Sequence, residues 1–342
     1  MLGTLSYLVA GSARSLVSGN MRHILGPGAR QADVRCYTRE AFRNLACNYY
    51  DLFHLRGFSK ETLRARMDIA GLEHLDRALE RGKGVLLTSL HFGNTEYLMQ
   101  VPALYPYMHF LLLVEKMDDV RLFDLLRGLR AGKVPAQVPA QVPAQVPAQV
   151  PAPLGAGARG AGARGAGTLG AGTLGAGTLG AATLGAATLD TGALGARGPG
   201  AGMGIDMATV AEPLKVVRRL KQNGVVGIAF DRDVTDSGID TEFFGQPAVF
   251  PVGVIRLAMR TGAAIVPSYG WRAAGRGRFQ VRIFPALKLV KTGDVQADVQ
   301  TNLRRMLDIF EPVIRERPGQ WMAFHEVWKS APDAVPAADG SR

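Results

Sequence analysis

A histidine followed five residues later by a glutamate, in the stretch Ser89-Leu-His91-Phe-Gly93-Asn94-Thr-Glu96-Tyr97, is the sharpest chemical feature of the chain. Histidine is the side chain whose ordinary pKa lies nearest neutrality, and a carboxylate on one ring nitrogen leaves the other free to take a proton. On a regular helix five residues turn about 500°, which sets the two side chains roughly 140° apart. His91, however, ends an apolar run, Gly93 permits a turn, and Glu96 falls in the first helical turn after Asn94. That path can bring the carboxylate to the imidazole, and the helix start offers backbone N–H groups to developing negative charge. A plainer account fits equally well, in which Glu96 only complements the helix dipole and His91 is a satisfied buried side chain. No third ligand accompanies the pair, so no metal is expected.

A second cluster, Asp231, Arg232 and Asp233, follows the apolar run 225–230. Polar residues at the carboxyl end of a buried strand are where open α/β sheets place their sites. A solvated turn is the simpler alternative. Phe243, Phe244, Pro251 and Gly253 read as a loop that approaches something closely. Cys36 and Cys47 have neither metal spacing nor a nucleophile's surroundings, so they are expected to be reduced core residues of a cytoplasmic protein.

The elements that must position these residues alternate. Residues 38–130 are mostly helical in pattern, with Ser59 and Asn94 as N-caps, interrupted by short apolar runs at 84–90 and 108–115 that read as buried strands. Further on, helices are expected in the segments Glu212–Asn223, Val252–Gly262 and Asp294–Pro318, with strands at 225–230 and Ala263–Tyr269. The alternating run Arg278–Leu287 is expected to be an edge strand. Strands alternating with helices predict an α/β sheet, at least partly parallel. At the N-terminus, Leu2, Leu5, Leu8, Val9, Leu16 and Val17 can share one helix face, either at a membrane interface or docked on the domain. No basic residue precedes this apolar stretch, so it makes a poor signal peptide, and no run is long enough for a clear transmembrane helix.

Residues 134–204 are a composition island of tandem VPAQ, GAGAR, GAGTL and GAATL units, with little to bury. The expected organisation is therefore an N-terminal membrane-proximal helical segment (1–37), one domain in two pieces (38–133 and 205–330), a disordered insertion (134–204) and a disordered tail (331–342). Removing the island leaves ample sequence for a core. The net charge is +11, of which the island's Arg159, Arg164 and Arg197 less Asp190 account for +2. Such a balance attracts nucleic acid, anionic lipid or phosphorylated substrates. No zinc-finger spacing, aromatic-interleaved basic strip or recognition helix accompanies it, which leaves the lipid classes favoured.

Taken together, His91-Phe-Gly-Asn-Thr-Glu96, Asp231-Arg-Asp-Val-Thr, Phe243-Phe-Gly245, Pro251-x-Gly253 running to Leu257-Ala258, Thr261-Gly262 and Val266-Pro267 resemble the lipid A biosynthesis acyltransferase family. The branch they resemble more closely is that of the phosphatidylinositol mannoside acyltransferases. The resemblance implies a glycerophosphate-acyltransferase-like mixed α/β sheet flanked by helices. It also implies a peripheral monomer on the cytoplasmic face of the plasma membrane, against an anionic surface. The implied reaction transfers a fatty acyl group from acyl-CoA or acyl-carrier protein to a sugar hydroxyl of a glycolipid, with no cofactor. His91 would be the base and Glu96 its partner; Arg127 or Arg130, with Asp231 and Arg232, would line the substrate cleft. Two other readings remain, a glycerolipid acyltransferase acting on lysophosphatidic acid and a catalytically inactive lipid-binding homologue. The chain departs from the first in having Phe-Phe-Gly-Gln-Pro-Ala-Val-Phe-Pro where such enzymes carry a Phe-Pro-Glu-Gly-Thr-Arg type segment.

Overall fold

The computed structural model describes residues 2–55, 58–115, 119–130, 205–273 and 278–329. The island at 134–204 and the tail at 331–342, both expected to be disordered, lie outside the described residues.

The chain begins with three helices, α1 (Leu2–Val9), α2 (Gly11–Leu25) and α3 (Gln31–His54), then α4 (Lys60–Arg66), β1 (Met67–Ala70) and α5 (Leu72–Leu79). The segment around His91 follows, as β2 (Val85–Ser89), α6 (Thr95–Leu98), α7 (Val101–Leu104), β3 (Phe110–Val114) and α8 (Val120–Arg130). Beyond the island come β4 (Asp206–Thr209), α9 (Pro213–Lys221), β5 (Val225–Ala229), the hairpin β6 (Ile239–Phe243) and β7 (Gln246–Phe250), and α10 (Gly253–Thr261). Then follow β8 (Ala264–Arg272), β9 (Phe279–Ile283), α11 (Val295–Glu316) and a short 3-10 turn (Pro318–Gln320) that leads into the last described segment, 321–329.

Seven strands form one sheet in the order β1-β9-β8-β2-β5-β3-β4. β8, β2, β5, β3 and β4 are mutually parallel, whereas β9 runs antiparallel to β8 and parallel to β1. The sheet is thus mixed and mostly parallel, with helices on both faces. β2 is buried at all five positions. That is the signature of a strand covered on both sides, and it explains why its sequence is a continuous apolar run without alternation. Leu86, Val226 and Ile265 face the larger core with α10 and α11, and Val85, Leu87 and Val266 face a second core under α4 and α5.

Several expectations need correction. The alternating segment at 279–283 is an interior strand, because the short β1 pairs on its far side. β1 itself, Met-Asp-Ile-Ala, was too brief to interrupt the helical pattern expected across 38–130. The helix expected from Asn94 through Leu104 is two four-residue pieces, the second with Pro102 at its start. Proline has no N–H to continue the first helix's bonding. The N-terminal apolar residues do not share a face. The chain breaks at Ala10; Ala13, Val17, Met21 and Ile24 of α2 and Tyr7 of α1 enter the main core, while Leu5, Leu8 and Val9 stay exposed. Helix α3 also runs unbroken through position 37, the expected edge of the N-terminal segment.

The hairpin turn is Phe244-Gly245, with φ of 53° and 73°. Both central residues are thus left-handed, as in a type I′ hairpin turn, and phenylalanine takes that conformation at a cost. Packing offsets it: Phe244 lies 4.8 Å from the Phe243 ring and under the Arg315 guanidinium, and its N–H donates to Glu311. On the same side Phe310 is fully buried, its ring 5.2 Å from that of Phe230. Truncation there, Phe310→Ala, should cost about 3–5 kcal/mol in urea unfolding. By contrast Leu214→Ala, at a side chain 80% exposed, should cost less than about 0.5 kcal/mol. Equal losses at the two sites would contradict this core.

Candidate functional site

Strands β2 and β5 are parallel neighbours in a register that pairs Ser89 with Ala229. Two residues further along each strand direction lie His91 and Asp231. The register, rather than the local sequence, therefore brings together two side chains 140 positions apart. His91 Nδ1 is 2.8 Å from Asp231 Oδ1, and the His91 backbone N–H donates to Oδ2 at 2.9 Å. Trp321 Nε1–H donates to Oδ2 at 2.9 Å, and His325 Nε2–H donates to the Asp231 carbonyl at 2.6 Å.

Asp231 is only 3% exposed. Burial alone would raise its pKa, but the His91 charge and hydrogen bond, with the Trp321 N–H, hold it well below the ordinary carboxylate range. An ionised carboxylate can only accept, so the proton between the two groups sits on Nδ1. His91 feels the opposite balance. Burial pulls its pKa down, but Asp231 outweighs that and raises it above 6.5. The imidazole is 44% exposed, and since Nδ1 is turned to a buried group, the open edge carries Nε2. Among the described residues Nε2 has no hydrogen-bond partner. The arrangement is a base with a fixed tautomer and an accessible lone pair.

Glu96 is not part of it. Asn94 caps α6 by accepting from the Tyr97 N–H, as its sequence predicts, and Glu96 sits in the first turn, 5% exposed. Its carboxylate is taken bidentately by Arg130 of α8, at 2.6 Å to Nη2 and 3.2 Å to Nε. Burial works against the Arg130 charge, yet Glu96 keeps its pKa above the usual arginine value. The expected His91–Glu96 pairing is therefore replaced by His91–Asp231 and Glu96–Arg130. A four-residue helix also has too little aligned backbone to supply the field expected from its start. Of the two candidate arginines, Arg130 faces inward and Arg127 is exposed. Arg232 pairs with Glu115 at 2.7 Å, close enough that the two charges act on His91 in opposite senses.

The loop carrying His91 is held from three sides. Gly93 has φ of 59°, and a Cβ there would meet the Gly270 carbonyl oxygen at 2.1 Å, so only glycine fits. Its N–H donates to the Gln320 carbonyl at 2.6 Å, and its own carbonyl accepts from Asn48 at 3.0 Å. The Met322 N–H donates to the His91 carbonyl at 2.8 Å. Asn94 donates to Asp51, which also pairs with Arg272. Trp321, His325, Asn48 and Asp51 were not singled out in the sequence.

Between α9 and α10, over β3 and β5, runs a largely apolar groove of about 1030 Å³ with Ile228, Phe230, Val216 and Leu257 in its lining. It reaches Arg232, although neither His91 nor Asp231 lines it. Val210, Leu214 and Val234 are exposed in its lining, and Lys83, Lys221, Arg256 and Arg260 have no carboxylate within ion-pair reach among the described residues. Among the described residues no group of three or more histidine, cysteine, aspartate or glutamate side chains could hold a metal.

The family described as bacterial lipid A biosynthesis acyltransferase matches residues 2–110 and 203–330, more than half of the chain. A phosphatidylinositol mannoside acyltransferase of Mycobacterium tuberculosis is 37% identical over 117 residues, 34% of this chain and 35% of that protein. Its namesake in Mycolicibacterium smegmatis is 33% identical over 117 residues, 34% of this chain and 36% of that protein. The matched stretch thus spans about a third of the length of these relatives. With the two matched segments falling on either side of the island and containing both His91 and Asp231, the chain belongs to the bacterial lipid A biosynthesis acyltransferase family.

Proposed function

We propose that the protein transfers a fatty acyl group from a thioester, acyl-CoA or acyl-carrier protein, to a sugar hydroxyl of a membrane glycolipid of the phosphatidylinositol mannoside or lipid A type. The observation that carries this reading is the His91 imidazole, proton fixed on Nδ1 by a buried carboxylate and Nε2 open. Nε2 takes the acceptor hydroxyl's proton as the oxygen attacks the thioester carbonyl. The resulting tetrahedral intermediate collapses with cleavage of the C–S bond, and the imidazolium returns the proton to the leaving thiolate. Asp231 stays ionised throughout and stabilises the imidazolium. The ester forms directly, with neither cysteine acylated and no metal or cofactor consumed.

Two features support a membrane-bound amphiphile as substrate and an anionic bilayer as the working surface. The net charge is +11, and the apolar groove combines unpaired cations with exposed Val210, Leu214 and Val234. No described helix is long and apolar enough to cross a membrane. Peripheral attachment at the cytoplasmic face, as a monomer, is the reading we adopt. The names of the mycobacterial relatives favour a phosphatidylinositol mannoside as acceptor. Arg232, paired with Glu115 at the groove's end, and exposed Arg127 are candidates to meet anionic substrate. Arg130 is already engaged by Glu96.

The direct assay offers palmitoyl-CoA and phosphatidylinositol mannoside to the purified chain and follows the acylated product by mass spectrometry. His91→Ala should lower the rate on the order of 10²–10⁴-fold, and because it strips a donor from the buried Asp231 it should also lower the melting temperature, with the chain still folded at the assay temperature. Undiminished turnover in that variant, or acylation of lysophosphatidic acid in place of the mannoside, would contradict the proposal. The pH dependence has a definite sign. The base must be neutral, and its pKa lies above 6.5, so kcat/KM should rise with pH through a limb centred above 6.5. Asp231→Asn removes the charge that raises the imidazole and should move that limb to lower pH as the plateau falls. A limb that stays in place would show that Asp231 is not the group tuning the base.

A further inference from the structure

A carboxylate that steadies an imidazole must itself be kept from turning. Asp231 has two oxygens, and Oδ1 is occupied by His91 Nδ1. Oδ2 is held by the backbone N–H of His91 and, from the opposite side of the site, by the indole N–H of Trp321 at 2.9 Å. Trp321 is fully buried, with its ring 5.9 Å from that of Phe243 and 6.0 Å from that of Trp328, both edge-on. Its backbone forms an isolated bridge with Phe92, next to His91 in the chain. The aromatic cluster fixes the indole, and the indole N–H in turn faces one oxygen of one carboxylate. An indole N–H only donates, so it stabilises the anion without adding a charge that would oppose the imidazolium.

We propose that Trp321 is a positioning residue for acyl transfer, its N–H locking the Asp231 carboxylate in the orientation that holds His91 as the Nδ1–H tautomer. The inference rests on the reading of His91 as the base. It adds a residue that touches neither substrate nor the reacting atoms and acts through Asp231. Without the indole donor, negative charge on Asp231 is less dispersed, and the carboxylate interacts more strongly with whatever hydrogen bonds remain. The groups that bear on His91 are Asp231, Arg232 and Glu115, with His325 on the far side of Asp231. Substitution of Trp321 leaves all of them in the chain. The acid limb of the rate profile should therefore move to higher pH, the reverse of the shift on removing the Asp231 charge.

The test uses the full chain with two substitutions. Trp321→Phe keeps an aromatic ring and deletes the donor. Site-specific replacement of Trp321 by benzothienylalanine, in which sulfur stands for the N–H, keeps the bicyclic shape as well. In palmitoyl-CoA transfer we expect kcat to fall about tenfold or more, as for loss of a hydrogen bond to a charged group, with KM unchanged and the acid limb displaced upward. A residue that merely fills space would lower the melting temperature in Trp321→Phe and leave both kcat and the limb of the sulfur isostere untouched. That result overturns the proposal. Failure of the isostere to fold overturns it too, since packing is preserved and the bond would then serve folding alone. Full activity in His91→Ala instead removes the base reading itself, whereas an inactive His91→Ala beside a wild-type isostere removes only the role of Trp321.

Discussion

A carboxylate 3% exposed and still ionised imposes conditions on everything near it. Burying an unpaired charge costs several kcal/mol, so each lone pair of Asp231 must meet a donor. Those donors come from different parts of the chain: the end of β2 through His91, and the segment after α11 through Trp321. The first condition fixes the β2–β5 register, since a slip of one residue would turn Asp231 to the other face of the sheet. The second requires the segment at 320–325 to be held against the site.

The N-terminal helices meet that second condition. Asn20 of α2 donates to the carbonyls of Ala323 and His325, Asn44 of α3 to that of Gly319, and Asn48 to that of Gly93. Asp51, one turn further, receives Asn94 and Arg272. Asn44, Asn48 and Asp51 recur at helical spacing, so one face of α3 holds both segments that carry the site, the two asparagines through backbone carbonyls and Asp51 through the Asn94 and Arg272 side chains. These helices are therefore integral to the candidate site, while Leu5, Leu8 and Val9 of α1 stay exposed.

Much of the fold was legible. Apolar runs without alternation marked β2, β3, β5 and β8 as buried strands, and Ser59 and Asn94 marked helix starts that the side-chain bonds bear out. Short elements were not: β1 and β4 are four residues each, below the length at which a period can be seen. At the site, His91 was identifiable because a titratable residue ended an apolar run, and Asp231 for the same reason. Their pairing was not, because sequence carries no strand order. Glu96 stood near in the chain, and nearness was mistaken for contact. The arginine that claims it lies 34 residues on, brought there by the packing of α8 on α3. The polar face of α3 was hidden by the apolar residues among which it is interspersed.

The central claim is that the imidazole of His91 is governed by Asp231 and not by Glu96. Long-range ¹H–¹⁵N correlation spectra of protein labelled in its six histidines report the protonated nitrogen of each ring. His91, assigned by its absence in His91→Ala, should appear as the Nδ1–H tautomer in the neutral form. It should keep that pattern in Glu96→Gln and lose it in Asp231→Asn. A tautomer that changes with Glu96→Gln and survives Asp231→Asn would contradict the account.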